Sequence, residues 1–462
     1  MKRPALLLLA AIFTFAGLVV AGGPIGVTGP ASPQQGVPYT WDPAAMPIRY
    51  TVDSGPMSVD PSGKVIINNA AGLIRVKNMF DTWSSVPTAA ISFSYTGPIS
   101  VANTSSDIKT VADFNAAQAA CRNGTQTPIM FDANGSIRSG LGIDPAVIGF
   151  AGICKADGST GHIVSALVLL NGEFQDGVFN QATSNYELTS DEFDEAITHE
   201  LGHFSGLDHS QINLEVLSQQ VLNCNLDDVA GLPLMFPVLF CQPRVTAGLP
   251  KLAPDDIAWI SKIYPGTSYS SSYGNINGFI YFSDGISQAQ GLNVIARRVD
   301  DPATPQNESL TTAISVVSGY QFTGNPGQPF TGDNTAGSAF GSRNPAVIGY
   351  YEIPVPPGTY TVQVENIDSE FVGGSSVGPS GLPFMVYANK YWHAYESAYD
   401  DPSKKDPITV AAGQTVSKIN IILNGTPSRF DQFEEGALHG PWEVIRQFWA
   451  SMTTLQDAGR TL

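Results

Sequence analysis

His199-Glu-Leu-Gly-His203-Phe-Ser-Gly206-Leu-Asp-His209 brings three imidazoles and one carboxylate into a single short stretch. Residues four apart lie on one face of a helix, so His199 and His203 are placed to bind the same metal ion. Gly206 tolerates a positive φ, which ends the helix and lets the chain return His209 to that ion. Three histidines with a fourth position left to water are typical of catalytic zinc, and Glu200 lies beside them as a candidate base. The stretch predicts a zinc site carried on a helix.

The alternative is a chance match, because a bare HExxH pattern also occurs in unrelated helices. Here three of the chain's six histidines lie in this one stretch at metal spacing, which favours the metal site. The start of the helix is also visible in the sequence. Thr189-Ser190-Asp191-Glu192 has the pattern of a capping box, with Thr189 as the cap and Glu192 reaching back to it. The metal motif and the helix signal therefore agree.

The first residues have the composition of a secretory signal peptide. Lys2 and Arg3 precede an apolar run from Ala5 to about Val20, and small residues precede Gly22, so residues 1–21 are predicted to be removed. An uncleaved membrane anchor is the alternative, but the run is short for a spanning helix. No other segment is long and apolar enough to span. We expect a secreted protein, located outside the cell, in a periplasm or at the cell surface.

The cysteine count agrees with export. Cys121, Cys154, Cys224 and Cys241 are an even set in an oxidising compartment, so two disulfides are expected. Three pairings are possible. We favour Cys121 with Cys154 and Cys224 with Cys241, because each of these pairs closes a loop on one side of the zinc motif.

The net charge of the chain is −18, and loss of Lys2 and Arg3 makes it about −20. Such an acidic balance argues against nucleic acid or an anionic membrane as a partner. With 462 residues, 46 of them Gly and 33 Pro, the chain is expected to form two or three turn-rich domains.

Two segments follow the third histidine. The first, residues 232–237, contains Met235, and the second, residues 252–265, has the pattern of an amphipathic helix. Asp255 and Asp256 lie in the first turn of that helix. The residues expected to face a core recur at helical spacing and are Ile257, Ile260, Ile263 and Tyr264.

Together with the zinc motif, these segments resemble the metzincin metallopeptidases, and within them the matrixins, in which HExxHxxGLxHS, a methionine turn and a last helix containing DDI occur in this order. Upstream segments are also similar to matrixin strands and helices: Pro47–Asp53, Ile66–Trp83, Pro128–Asp132 and Gly149–Gly152. The resemblance covers residues 38–266, after an N-terminal segment of residues 22–37. It implies an α+β catalytic domain with a twisted mixed sheet and an active-site helix.

The resemblance also implies roles for single residues. Met235 is expected to form an apolar floor beneath the zinc, and an ordinary core methionine is the alternative. The strand at 163–170 is expected at or near a sheet edge, where it lines the cleft and pairs with an extended substrate; a buried strand without that role is the alternative. The candidate cleft residues are Ile163, Val164, Ser165, Ala166, Pro237 and Val238.

Several positions depart from the matrixin pattern. The stretch from His209 to Met235 is longer than in typical matrixins and carries Cys224, so a reshaped specificity region is expected. Pro237 stands where some metzincins keep a tyrosine as an extra ligand. Residues 22–47 contain no cysteine, so latency through a propeptide thiol on the zinc is not expected.

Two further polar features are interpreted as ordinary structure. His162 is expected to be a surface histidine rather than a ligand. Residues 132–136 resemble part of a calcium loop, but a later acidic ligand is missing, so an Asn-Gly turn at Asn134-Gly135 is favoured over a Ca²⁺ site.

The remainder of the chain has a different residue pattern. Residues 267–273 have the composition of a linker, and short β-patterned runs separated by Gly, Pro and Asp follow over residues 274–425. These runs predict a β-sandwich and resemble the carboxypeptidase regulatory-like domains of transthyretin type, which implies an accessory domain without chemistry. Residues 426–462 contain an apolar stripe at helical spacing, expected to pack on the sandwich, with a sorting or partner-binding tail as the alternative.

The sequence thus predicts a secreted zinc endopeptidase in which zinc lowers the pKa of bound water and Glu200 takes its proton, then passes it to the leaving amine. The protein or peptide substrate is not identified. The rival hypothesis is a surface-binding or adhesive protein that uses the β-sandwich and carries an inactive zinc domain; the presence of Glu200 argues against it.

Overall fold

The computed structural model describes residues 8–9, 23–29, 32–102, 105–178, 187–213, 224–239, 241–321, 344–365 and 389–424. Over these residues the chain combines α and β structure, with several sheets and eight helices. None of the helices in these ranges is both long enough and apolar enough to cross a membrane. The predicted tail at 426–462 and nearly all of the predicted signal peptide lie outside the described residues.

The N-terminal part of the chain surrounds the helix that carries His199 and His203. Its strands are β1 (Leu8–Leu9), β2 (Thr40–Trp41), β3 (Ile48–Val52), β4 (Ser58–Val59), β5 (Val65–Ile67), β6 (Phe93–Pro98), β7 (Pro128–Asp132), β8 (Gly149–Ala156), β9 (His162–Asn171) and β10 (Val238–Leu239). Its helices are α1 (Asn69–Ser84), α2 (Val111–Asn123), α3 (Ser136–Gly140), α4 (Ser190–Phe204), α5 (Leu226–Gly231) and α6 (Pro254–Ile263).

Six of these strands form the main sheet. Five of them follow the order β2-β9-β7-β3-β6, and the sixth, β8, also pairs with β9. All its pairs are parallel except β8 with β9, which is antiparallel. Parallel neighbours need crossover connections, and α1 and α2 lie in two of them. Because β8 pairs only with β9 in the part of the chain that the structure describes, it is an outer strand of this sheet, and it lies beside α4.

This order corrects the expectation for the strand at 163–170. The segment is β9, whose residues from Ile163 to Leu170 are already paired with β8, while β2 and β7 take its other side. Its backbone groups on the β8 side are therefore not available to an extended substrate. Strand β8, one position further out, has no partner on its outer side among the described strands, and β6 is the outer strand at the other end of the sheet.

Helix α4 is buried between the sheet and α1. Four apolar residues along it, Phe193, Ile197, Leu201 and Phe204, are completely buried, at the three- and four-residue spacing of one helix face. From α1, the buried Trp83 donates its indole N–H to the carbonyl of Thr198 at 2.9 Å. The position and rotation of α4 are thus set by packing on two sides.

Two disulfides form with the favoured pairing, Cys121–Cys154 and Cys224–Cys241, with Cα–Cα distances of 5.6 and 5.5 Å. The first joins α2 to the outer strand β8, and the second closes a loop that contains Met235. This pairing confirms the prediction. Two disulfides are compatible with a secreted protein.

The C-terminal part forms two sheets. Its helices are α7 (Tyr269–Ser272) and α8 (Glu308–Thr311), and its strands are β11 (Gly274–Tyr281), β12 (Asn293–Arg298), β13 (Ala313–Val317), β14 (Tyr350–Val355), β15 (Gly358–Glu365), β16 (Lys390–Tyr391), β17 (Ile408–Val410), β18 (Thr415–Val416) and β19 (Ile421–Ile422). One sheet has the order β14-β11-β18 with β19 also on β11, and the other has the order β13-β12-β15-β16 with β17 also on β15.

The two parts of the chain share one hydrophobic core. A single cluster of buried side chains runs from the main sheet through Trp259 and Tyr264 of the α6 region to Ile276 of β11 and Val316 of β13. The predicted linker, residues 267–273, contains the short helix α7 and ends in the buried Tyr273. The C-terminal sheets are therefore held against the N-terminal part by packing.

Candidate metal centre

The local structure around α4 is the one its sequence predicts. Thr189 caps the helix: its hydroxyl accepts from Glu192 N–H, and the Glu192 carboxylate accepts from Thr189 N–H at 2.7 Å. Helix α4 ends at Phe204, and Gly206 then adopts φ +94°. A Cβ at Gly206 would lie 2.9 Å from the carbonyl of Tyr39, so both the dihedral and the space require glycine. From here the chain turns back toward the helix.

This turn brings the three histidines together. The Nε2 atom of His203 lies 3.1 Å from Nε2 of His199 and 3.2 Å from Nε2 of His209. Nitrogen ligands at 2.0–2.1 Å from a tetrahedral metal ion are about 3.3 Å apart. All three residues are buried. The three histidines therefore form a group that could bind a metal ion, as the spacing predicts.

Hydrogen bonds orient two of these rings. His199 donates from Nδ1 to the carbonyl of Leu234 at 2.8 Å, and His203 donates from Nδ1 to the carbonyl of Leu207 at 2.9 Å. A carbonyl only accepts, so Nδ1 carries the proton and Nε2 keeps its lone pair. Burial lowers the pKa of His199 to about 4 and that of His203, with help from His199, to about 3. The rings are thus neutral, and their lone pairs converge where a cation fits.

Glu200 lies beside the histidines and is 3% exposed. Its Oε2 atom has no hydrogen-bond partner in the protein, and burial raises the pKa of its carboxyl to about 8. A buried carboxyl oxygen without a partner is costly unless a ligand completes the site. Gly149 of β8 lies against Glu200: a Cβ there would be 3.2 Å from Glu200 Cγ. These observations fit a metal and a water molecule in this space.

Met235 packs against α4 at Gly202. It is 2% exposed, and a Cβ on Gly202 would overlap its sulfur. The turn that carries Met235 is held by Asp256, whose carboxylate accepts from Leu234 N–H at 2.8 Å and from Met235 N–H at 3.0 Å. The carbonyl of Leu234 in turn holds His199. Asp256 therefore holds Leu234, the residue that orients His199. Its position in the first turn of a helix pattern does not predict this role.

A pocket opens beside His199 and Glu200. Two of the predicted cleft residues, Pro237 and Val238, lie in its wall, whereas the four predicted from β9 do not. The residues that sequence reasoning missed here include Ile148, Glu195, Val229, Leu232, Leu239 and Arg244. The pocket is also lined by Cys241, whose disulfide partner Cys224 lies in the long stretch between His209 and Met235.

Two residues with ionisable side chains, Glu195 and Arg244, line this pocket and are hydrogen-bonded to its backbone. The guanidinium of Arg244 donates to the carbonyls of Val229, Ala230 and Leu232 at 2.9–3.0 Å. The backbone N–H of Arg244 donates to Glu195, and burial raises the pKa of Glu195 to about 7. Arginine at this position therefore fixes the pocket wall. No pattern in the sequence pairs residues 195 and 244.

The other predicted polar features behave as ordinary structure. His162 is partly exposed, with Nδ1 3.6 Å from the carboxylate of Asp42. The Asp132 carboxylate accepts from the N–H groups of Ile137 and Arg138, and Gly135 has φ +69°. Its oxygens thus cap α3 and the segment is a turn. It is not among the groups of metal-binding side chains found within the described ranges.

A second group of potential ligands, His393, Glu396 and Asp400, lies in the C-terminal part. The ammonium of the fully buried Lys390 already lies among them, 2.7 Å from Asp400 and 3.0 Å from Glu396. The same Nζ atom also donates to oxygens of Ser397, Ile422 and Asn424 at 2.6–2.8 Å. The positive charge in this cluster is supplied by lysine.

Comparison with known proteins adds no assignment. No family model matches the chain. No curated protein matches it in sequence either.

Proposed function

We propose that this protein is a secreted zinc-dependent metalloendopeptidase, with a metzincin-type catalytic domain followed by a β-sandwich accessory domain. One observation carries the proposal: three histidine Nε2 atoms, two of them fixed by Nδ1 hydrogen bonds, converge beside a buried glutamate that has an unpartnered oxygen. Histidine nitrogens with a glutamate as non-ligand base suit zinc better than calcium or magnesium, which prefer oxygen ligands.

Zinc, when bound, supplies a Lewis acid that lowers the pKa of water and polarises the peptide carbonyl. The protein supplies the base. Glu200 takes a proton from the attacking water and passes it to the departing amine, and both transfers need a carboxyl whose pKa lies near the working pH. Burial raises the pKa of Glu200 to about 8, and a neighbouring cation would lower it toward neutrality. Gly149 leaves the space in which this carboxyl can face the reacting atoms.

The substrate is proposed to be an extended peptide. Strand β8 pairs with β9 on one side and, among the described strands, has no partner on the other, so its outer side is suited to strand addition. Gly149 at its start lies against Glu200, so a peptide along β8 would pass the proposed base. Most of the pocket wall is apolar, from Pro237, Val238 and Leu239, which favours an apolar substrate side chain.

The experiment is metal analysis together with cleavage profiling of the secreted protein on a peptide mixture. Glu200→Gln should retain zinc and lose roughly 10²–10⁴-fold in turnover. A His203→Gln variant should lose both zinc and turnover. Asp191→Asn, in the exposed first turn of the same helix, is the matched control and should cleave as wild type does. If the zinc-loaded protein cleaves no peptide, or if Glu200→Gln cleaves as fast as wild type, the proposal is wrong.

A further inference from the structure

The C-terminal sheet that contains β12 and β13 turns one face toward the metal centre. Alternate residues of β12, namely Asn293, Ile295 and Arg297, point the same way because side chains alternate along a strand. Their neighbours are consecutive residues of the chain that leaves His209. Asn293 Nδ2 donates to the carbonyl of Gln211 at 3.1 Å, Ile295 packs with Ile212, and Arg297 binds Asn213.

Of these three contacts, the one between Arg297 and Asn213 involves the most hydrogen bonds. Nη1 of Arg297 donates to Asn213 Oδ1 at 2.6 Å, while Nε and Nη2 donate to Gln363 and Glu365 of β15. Asn213 has φ +60° and is completely buried, and its Nδ2 donates to the carbonyl of Gly231 at 2.8 Å. Arginine here is held on its own sheet and reaches across to one residue of the N-terminal part.

Strand β13 extends the same contact. Ser315 donates its N–H to Asp255 at 2.9 Å, and its carbonyl accepts from the indole N–H of Trp259 at 2.7 Å. The Ser315 hydroxyl also lies 3.5 Å from the hydroxyl of Ser210, the residue after His209. The N-terminal part of the chain covers this sheet face, so the polar residues on it are buried.

His209 depends on this contact more than the other two histidines do. His199 and His203 are carried by α4, whose position is set by its own packing. His209 lies on a non-helical return that begins at Gly206 and continues into Ser210, whose N–H donates to the carbonyl of Met235 at 2.8 Å. Residues 211–213, which follow, are all completely or almost completely buried against β12 and β13. The C-terminal sheet thus forms one of the supports of the third ligand.

We propose that Arg297 and Asn213 are positioning residues for His209, so that metal affinity depends on the C-terminal part of the chain. The inference rests on the proposed metal site and extends it: the β-domain is a component of the metal centre, not a separate accessory module. A purely structural contact would change the stability of the protein and leave metal affinity as it is. The two readings therefore differ in a quantity that can be measured on folded protein.

The test uses the full-length secreted protein and two metal probes, Zn²⁺ and Co²⁺, with dissociation constants from chelator competition. Asn213→Gly removes the acceptor of Arg297 and suits the positive φ, so this variant should fold. Arg297→Met removes the donor, but it leaves Glu365 buried without this partner and is the harsher variant. Both are expected to weaken Zn²⁺ binding roughly 10- to 100-fold and to alter the visible spectrum of bound Co²⁺.

Lys262→Met is the matched control. Lys262 also joins the two parts of the chain, through Asn275 at 2.9 Å and Glu352 at 2.6 Å, but it does not touch residues 210–213. This variant should bind Zn²⁺ as wild type does, even if urea unfolding shows lower stability.

The outcomes separate the two claims. If wild type binds Zn²⁺ and folded Asn213→Gly binds it equally well, the positioning role is wrong while the metal site stands. If Lys262→Met weakens Zn²⁺ binding as much as Asn213→Gly does, the effect is general destabilisation, which also overturns it. If wild type itself binds neither ion, the proposed function fails together with this inference.

Discussion

Replacing Gly202 with alanine is the sharpest test of how tightly the metal centre is packed. On helix propensity alone, alanine in place of a helical glycine stabilises a helix by up to about 1 kcal/mol. The structure predicts the opposite sign. The new Cβ would lie 2.9 Å from Trp83 Cζ2 and 3.0 Å from Met235 Cε, and closer still to the Met235 sulfur. Carbon contacts are comfortable only from about 3.5 Å, so these groups must move apart.

The tryptophan has little freedom to move. Its indole N–H is bonded to Thr198 at 2.9 Å, and the side chain is completely buried. Met235 must therefore shift, by more than about 1 Å at its sulfur. Overpacking of this kind costs about 1–3 kcal/mol, of which the propensity gain offsets at most about 1 kcal/mol, so we expect a net loss of up to about 2 kcal/mol in the free energy of unfolding. Because Met235 directly follows Leu234, whose carbonyl orients His199, we also expect a changed spectrum of bound Co²⁺.

Urea unfolding of metal-free protein measures the first effect, and a double-mutant cycle with Met235→Ala identifies its cause. Met235→Ala alone should cost about 2–5 kcal/mol, and Gly202→Ala added to it should cost nothing further or restore stability, because the obstructing sulfur is gone. If Gly202→Ala is as stable as wild type or more stable, then propensity outweighs packing and our reading of this contact is refuted. Additive effects of the two substitutions would refute it equally.

Three other predictions concern charge and space. Lys390→Met should lower the free energy of unfolding in urea by about 3–5 kcal/mol, because the carboxylates of Asp400 and Glu396, whose side chains are each 10% exposed, lose the cation that the fully buried Lys390 supplies; a loss under about 1 kcal/mol would contradict this. In metal-free protein the folded pKa of His203 is about 3, below the unfolded value of about 6.5, so stability is lost as the pH falls. The stability of His203→Gln relative to wild type should therefore rise by about 2 kcal/mol between pH 7 and pH 5, and an unchanged difference would show that the ring is not buried as a neutral group. Gly149→Ala should lower kcat/KM roughly 10- to 100-fold with zinc content unchanged, since its Cβ would press on Glu200; wild-type activity would place that carboxyl elsewhere.

The parts of the metal centre that could be predicted are those encoded by local spacing. Thr189 and Glu192 define the start of α4, Gly206 follows its end, and two histidines four residues apart define the face that carries the candidate metal ligands. Each of these depends on residues within one or two helical turns. The disulfide pairing was also predicted correctly, because loops of 33 and 17 residues on either side of the motif are the shortest closures available.

What could not be predicted depends on neighbours that are distant in sequence. The pattern of residues 163–170 identifies a strand. It does not show that β8 pairs antiparallel with that strand and forms the edge of the sheet. In the same way, Asp256 has an acidic side chain in a first helical turn, where the usual role is capping. Its bonds to Leu234 and Met235, about twenty residues earlier in the chain, follow only from the tertiary fold.

The contacts of the C-terminal part show the same limit. Arg297 shares one face of β12 with Asn293 and Ile295, and two polar residues on a strand face are usual where that face meets solvent. In the structure that face is covered by residues 211–213, so the polar side chain is buried and bonded. Sequence patterning describes one sheet at a time and carries no information about a second structural unit that covers it.

The outer strand β8 also bears on self-association through the edge of the sheet. An open sheet edge can pair with the same edge of another molecule, and such pairing is a route to aggregation. In β8 the regular pairing is interrupted twice, between Ile153 and Lys155 and again before Ala156, and the disulfide of Cys154 ties this irregular stretch to α2. The regular part of the edge is thus only the few residues from Gly149 to Ile153, followed by Cys154 and Lys155. An edge of this length admits a short peptide, whereas a long, continuous strand from a second copy of the chain would lose its register at the bulge.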